Sequence, residues 1–137
     1  MPDKYQLNDI PINTGSDVAL SSSMGGFTWD GLARRYLLHA PDSYSAATPV
    51  PLVIGRHGGR GDGRAFETMS SLSSYSDVLG FIVVYPDAYE LVRAWEDGRG
   101  LFVPLGINDV SFLKELIRRI RLKYNIDADR IYMTGFS

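Results

Sequence analysis

The sequence contains no cysteine. That excludes disulfides, a thiol nucleophile and cysteine-ligated zinc, and it leaves no trace of the redox compartment. Histidine is nearly as scarce, His39 and His57 being the only two. Positive charge is not in excess: 14 lysines and arginines against 16 aspartates and glutamates give a formal net charge of −2. The broad positive field that a phosphate backbone requires is missing, so nucleic acid is not an expected partner. Apolar residues are interrupted too often for a bilayer span, and no membrane partner is expected. Residues 1–23 have neither the basic start nor the apolar core of a signal peptide, an absence that a processed secreted chain would share. Location is left open.

What is present suits one globular core. The chain has 137 residues, and its 45% hydrophobic and 22% charged content is too apolar for disorder. Residues 1–23 read as a polar extension, running into the loop-like Ser21-Ser22-Ser23-Met24-Gly25-Gly26, and residues 24–137 as the folded part. Asp30-Gly31 between Phe27-Thr28-Trp29 and the run Leu32 to Leu38 predicts an antiparallel hairpin. Pro41, Pro49 and Pro51 mark a surface connection. Short apolar runs predict strands near 52–56, 81–85 and 129–134. Between the first two, Arg64 to Leu79 predicts one helix stopped by Gly80. From Asp109 to Tyr124, Val110, Leu113, Ile117, Ile120 and Tyr124 form a helical stripe, with Asp109 as N-terminal cap and cations near the end. This alternation is the grammar of an α/β fold: a mostly parallel sheet with right-handed crossovers and an N-terminal antiparallel hairpin. Such sheets carry their sites at the C-terminal strand ends, here after residue 54, after Tyr85 and after Met133.

Two motifs fall at those ends. Gly135-Phe136-Ser137 begins a G-x-S-x-G nucleophile elbow, in which a serine on a strained strand-to-helix turn needs small neighbours. With 14 glycines and almost as many serines, about one such triplet arises by chance, so only its position after a parallel strand gives it weight. His57-Gly58-Gly59 follows the first parallel strand, the place of a loop whose backbone N–H groups stabilise an oxyanion. Gly59 is the preferred donor, with Gly58 and Arg60 as alternatives. The same stretch also reads as a plain flexible loop. A phosphate-cradling loop fails on spacing, because neither G-x-G-x-x-G nor G-x-x-x-x-G-K-[ST] is completed. Asp87 ends a strand and is expected to hold its own turn.

Together with Arg35-Tyr36-Leu37-Leu38-His39-Ala40-Pro41, Gly80 to Asp87, Ala94-Trp95-Glu96-Asp97-Gly98-Arg99, Asp109 to Leu113 and Asp129 to Ser137, these motifs carry a resemblance over residues 27–137. The chain resembles polyhydroxybutyrate depolymerase-like and feruloyl-esterase-like carboxylesterases of the α/β-hydrolase superfamily. Gly55-Arg56 departs from the apolar residues such enzymes carry before the HG pair, and Asn108 stands where they often have an acid. The resemblance implies the N-terminal part of an α/β-hydrolase fold, reaching as far as the nucleophile elbow. It implies a serine esterase with Ser137 as nucleophile, His57, Gly58 and Gly59 on the oxyanion side, and Trp95 near the site mouth or packed under that loop. The substrate implied is a small or polymeric ester, with no metal or organic cofactor. Because the family order is serine, aspartate, histidine, the triad's last two members are expected after Ser137. Two rivals stand beside this reading: an inactive truncated relative and a flavodoxin-like binding module.

Overall fold

The computed structural model describes residues 22–89, 93–96 and 107–136. Its first two strands, β1 (Ser22–Trp29) and β2 (Leu32–His39), form the expected hairpin. The turn residues Asp30 and Gly31 both have positive φ, at 50° and 75°. That backbone matches the right-handed twist of the flanking strands, and Asp-Gly reaches it at little cost. β1 begins inside the serine- and glycine-rich run that read as a loop. Its polar residues serve because β1 is an edge strand, mostly exposed or half-buried.

β3 (Val50–Arg56) leads to α1 (Gly63–Ser70) and α2 (Leu72–Leu79), then β4 (Ile82–Pro86), α3 (Asp109–Lys123) and β5 (Ile126–Gly135). The sheet order is β1-β2-β4-β3-β5. β3 pairs in parallel with both β4 and β5, whereas β2 runs antiparallel to β4. All five residues of β4 are buried, as a strand covered on both faces must be. On one face α3 packs Phe112, Leu113, Leu116 and Ile120 against Leu38, Leu52, Ile54, Ile82 and Val84. On the other, Phe66 of α1 meets Leu37, Val83 and Tyr85.

Three local expectations are corrected. The single helix over 64–79 is two helices, because Ser71 takes a left-handed conformation (φ 57°) and the Ser70 hydroxyl accepts the Leu72 N–H, which redirects the chain. The cap of α3 is Asn108, whose side chain accepts the Ser111 N–H at 2.9 Å, rather than Asp109. The buried stripe of α3 takes in Phe112 and Leu116 and leaves Val110 exposed. Both stripes share Leu113 and Ile120, and the one with the larger apolar side chains is turned inward.

Candidate active site

The C-terminal ends of β3 and β5 lie side by side. Arg56 pairs with Gly135, and the Phe136 N–H donates to the Arg56 carbonyl at 3.3 Å, so β5 ends where the glycine-rich loop begins. Ser137, the predicted nucleophile, lies outside the described residues. The loop is fixed from several sides. The His57 ring accepts the Ala88 N–H on Nε2 at 3.0 Å, so its proton is on Nδ1, which donates to the Gly58 carbonyl at 2.6 Å. Trp95 donates from its indole to the His57 carbonyl at 2.9 Å, and its ring lies 5.2 Å from the imidazole. With both nitrogens committed and only 3% exposure, His57 positions the loop and is not a base for a neighbouring serine.

The loop's own amides sort its candidate donors. The Arg60 N–H donates to Arg93 at 2.8 Å and the Gly61 N–H to Gly58 at 3.1 Å. Arg60 is thereby removed as an oxyanion donor. Among the described residues, no hydrogen bond takes up the Gly58 or Gly59 N–H. Gly58, Gly59, Gly61, Ala65, Phe66, Met69 and Phe136, with the edge of His57, line an open cleft of about 220 Å³ that joins these amides to the end of β5.

α1 is held tightly against this loop. Asp62 caps it through the Ala65 N–H at 2.8 Å, and Asp87 accepts the Gly63 N–H at 2.7 Å. A Cβ at Gly63 would sit 2.5 Å from the Tyr85 carbonyl, so only glycine permits this approach. Asp87 thus fastens the start of α1 instead of its own turn. With carboxylates already on the first amides of α1, the helix start offers no cradle for a phosphate, which counts against a nucleotide-binding loop.

A second polar cluster, at the opposite end of the sheet, was not legible in the sequence. His39 contacts the Ser22 hydroxyl at 3.0 Å through Nδ1 and Asp77 at 2.7 Å through Nε2. Ser22 and Ser73 both donate to Glu67 Oε2, at 2.5 and 2.7 Å, and Ser73 meets the Tyr85 hydroxyl. Burial pushes the Tyr85 phenol well above its ordinary value, so it stays protonated. These side chains come from β1, β2, α1, α2 and β4, and His39 and Glu67 are sealed from solvent. The cluster ties strands and helices together. Its bonded partners lie up to 45 residues apart, with no spacing to announce them.

No helix among the described residues is long and apolar enough to cross a membrane, and no three of their histidines and carboxylates are grouped to hold a metal ion.

A mixed five-stranded sheet, with β3, β4 and β5 parallel, helices on both faces and a glycine loop beside the end of β5, is part of an α/β-hydrolase fold. Solved structures agree. A thermostable esterase matches 85% of this chain and 34% of its own with a TM-score of 0.62 at 23% identity. The acetyl xylan esterase from Aspergillus awamori matches 82% of this chain and 42% of its own with a TM-score of 0.61 at 17% identity. In sequence, the chain is 29% identical over 105 residues to feruloyl esterase B of Neurospora crassa, covering 75% of this chain and 35% of that one. It is 28% identical over 107 residues to a bifunctional acetylxylan esterase/xylanase of Neocallimastix patriciarum, covering 78% and 15%. The chain therefore spans about a third or less of the length of these relatives, which are carboxylic ester hydrolases. No family model matches it.

Proposed function

We propose that this chain is part of a serine carboxylesterase working through an acyl-enzyme. The observation that supports this best is the juxtaposition of two uncommitted loop amides, Gly58 and Gly59, with the end of β5, across one open cleft. In this reading the Ser137 hydroxyl attacks the ester carbonyl and its proton passes to a base. The carbonyl oxygen becomes an oxyanion held by the Gly59 N–H, with Gly58 beside it, and the alcohol departs with the proton; water then releases the acid. The base and the acid that orients it come from residues outside 1–137, since both histidines of this stretch are already engaged. No metal or organic cofactor enters these steps. The substrate is a small or polymeric ester, and the relatives' names favour an acyl group on a polysaccharide such as xylan. Trp95 supports the loop from beneath.

In the protein containing the downstream residues, Ser137→Ala is expected to abolish turnover of an activated ester with the circular dichroism spectrum unchanged, because the attacking atom is lost and little packing is. Hydrolysis retained in that variant removes Ser137 from the mechanism. An inactive relative is the second reading, favoured by the commitment of both histidines. A reading frame continuing past Ser137 with a small residue, a glycine, and later an aspartate and a histidine decides for the esterase.

A further inference from the structure

We propose that the series Asp77, His39, Ser22 and Glu67 closes only by binding one extra proton, which makes it a proton-operated latch between the β1–β2 hairpin and the helices α1 and α2. The latch stands whether or not the chain is part of an esterase. Three contacts run in line: Asp77 Oδ1 to His39 Nε2 at 2.7 Å, His39 Nδ1 to the Ser22 hydroxyl at 3.0 Å, and that hydroxyl to Glu67 Oε2 at 2.5 Å. Each needs one hydrogen between its heavy atoms. A neutral imidazole brings one, a serine hydroxyl one and two carboxylates none, so one contact is left with lone pairs facing each other. The third hydrogen has to be bound from solution.

The surroundings supply no substitute for it. Ser73 donates to the same Glu67 oxygen and meets the Tyr85 hydroxyl, so each brings the hydrogen its own contact uses and adds none to the series. Glu67 Oε1 is sealed without a partner. Among the described residues, no lysine or arginine pairs with Glu67 or Asp77. The titratable groups gathered around His39 there are Glu67 from α1, Asp77 from α2 and Tyr85 from β4, the last kept protonated by burial, while β1 contributes the uncharged Ser22. Without the extra proton, a neutral ring sits between two carboxylates, one of them buried, a state that desolvation penalises. With it, every contact has its hydrogen, whether the proton resides on His39, Glu67 or Asp77, because a shift along the series leaves the count unchanged. Ser22 starts the edge strand β1 and His39 ends β2, so loss of the proton unfastens the open end of the hairpin from α1 and α2.

In an unfolded chain histidine gives up its second proton above about pH 6.5. A proton that the native state still holds there makes stability fall as pH rises, and for one proton the unfolding constant grows by up to about tenfold per pH unit. The test follows urea unfolding of the protein with its downstream residues at pH 7, 8 and 9, beside Glu67→Gln and Asp77→Asn. Each variant exchanges a carboxylate for an amide of the same shape that brings the missing hydrogen permanently, at opposite ends of the series. Ser73 and Tyr85 accommodate the first, since either oxygen of that pair can donate to the other. The expected result is a wild-type unfolding constant that rises between pH 7 and 9 by about tenfold more than that of either variant. A wild type no steeper than the variants, or a folded variant that keeps the wild-type slope, overturns the latch. Should Glu67→Gln not fold, Asp77→Asn decides alone, because Asp77 lies at the exposed end of the series.

Discussion

A buried charge is tolerable only while its partners remain, and Asp109 has two. One carboxylate oxygen takes the Arg34 guanidinium and the other the Glu96 N–H at 2.6 Å, with Arg34 also stacked 3.9 Å over the Phe112 ring. Arg34 and Asp109 are both nearly sealed from water. Asp109→Ala leaves Arg34 charged, buried and without its ion pair, and is expected to cost about 3–5 kcal/mol of unfolding free energy in a urea titration. Replacing both, as Arg34→Met with Asp109→Leu, is expected to recover most of that loss, since the desolvation cost of the pair goes with it. A loss for Asp109→Ala within about 0.5 kcal/mol, the range of an ordinary surface change, would falsify the buried pair. A carboxylate at the start of an amphipathic helix invites reading as a cap. It is the chain crossing from β2 that turns Asp109 into an ion-pair partner.

Along α3, a nearly covered carboxylate meets two exposed arginines. Glu115 accepts hydrogen bonds from Arg118 and Arg119, and these, Arg118 first, bring its carboxyl from 4.5 down to about 2. A depressed folded value means stability that is present above pH 4.5 and lost as pH falls towards 2. Thermal melting followed from pH 7 down to pH 2 should therefore decline more shallowly through that window in Glu115→Gln than in the wild type. Equal slopes would show that the two arginines do not hold Glu115 in solution. Asp127, held low chiefly by the Asp129 N–H and then by Arg130, leaves part of the decline in place. At this scale the sequence was readable where periodicity is strong: the hairpin, the three parallel strands and the existence of α3 all follow from local pattern. The break at Ser71 and the inward turn of Phe112 and Leu116 were not, because a left-handed serine has no sequence signature and two overlapping apolar stripes differ only in what they meet across the sheet.

For the molecule as a whole, the two histidines decide what residues 1–137 can do alone. His57 sits at the right end of the sheet with both nitrogens spent. His39 pairs with Val83, near the start of β4 and away from the loop, and is bonded to Ser22 and Asp77. Neither can take a proton from a serine following β5. A polypeptide of residues 1–137 prepared by itself is expected to hydrolyse p-nitrophenyl acetate no faster than its Ser137→Ala counterpart at equal concentration. Turnover that disappears with Ser137 would mean that a base has been overlooked within these residues.

The sequence by itself determined the alternation of strands and helices, the Asp-Gly turn, and the glycine loop and serine triplet at strand ends, because each depends on neighbours a few residues away. Only the tertiary structure decided which amides of that loop remain uncommitted, that His57 is a clamp, that Asp109 pairs with Arg34, and that Ser22, His39, Glu67 and Asp77 converge. Those facts depend on contacts between residues 17 to 75 positions apart. A polar side chain carries no local mark of the partner that will satisfy it; burial leaves it needing one, and the order of the strands determines which comes within reach.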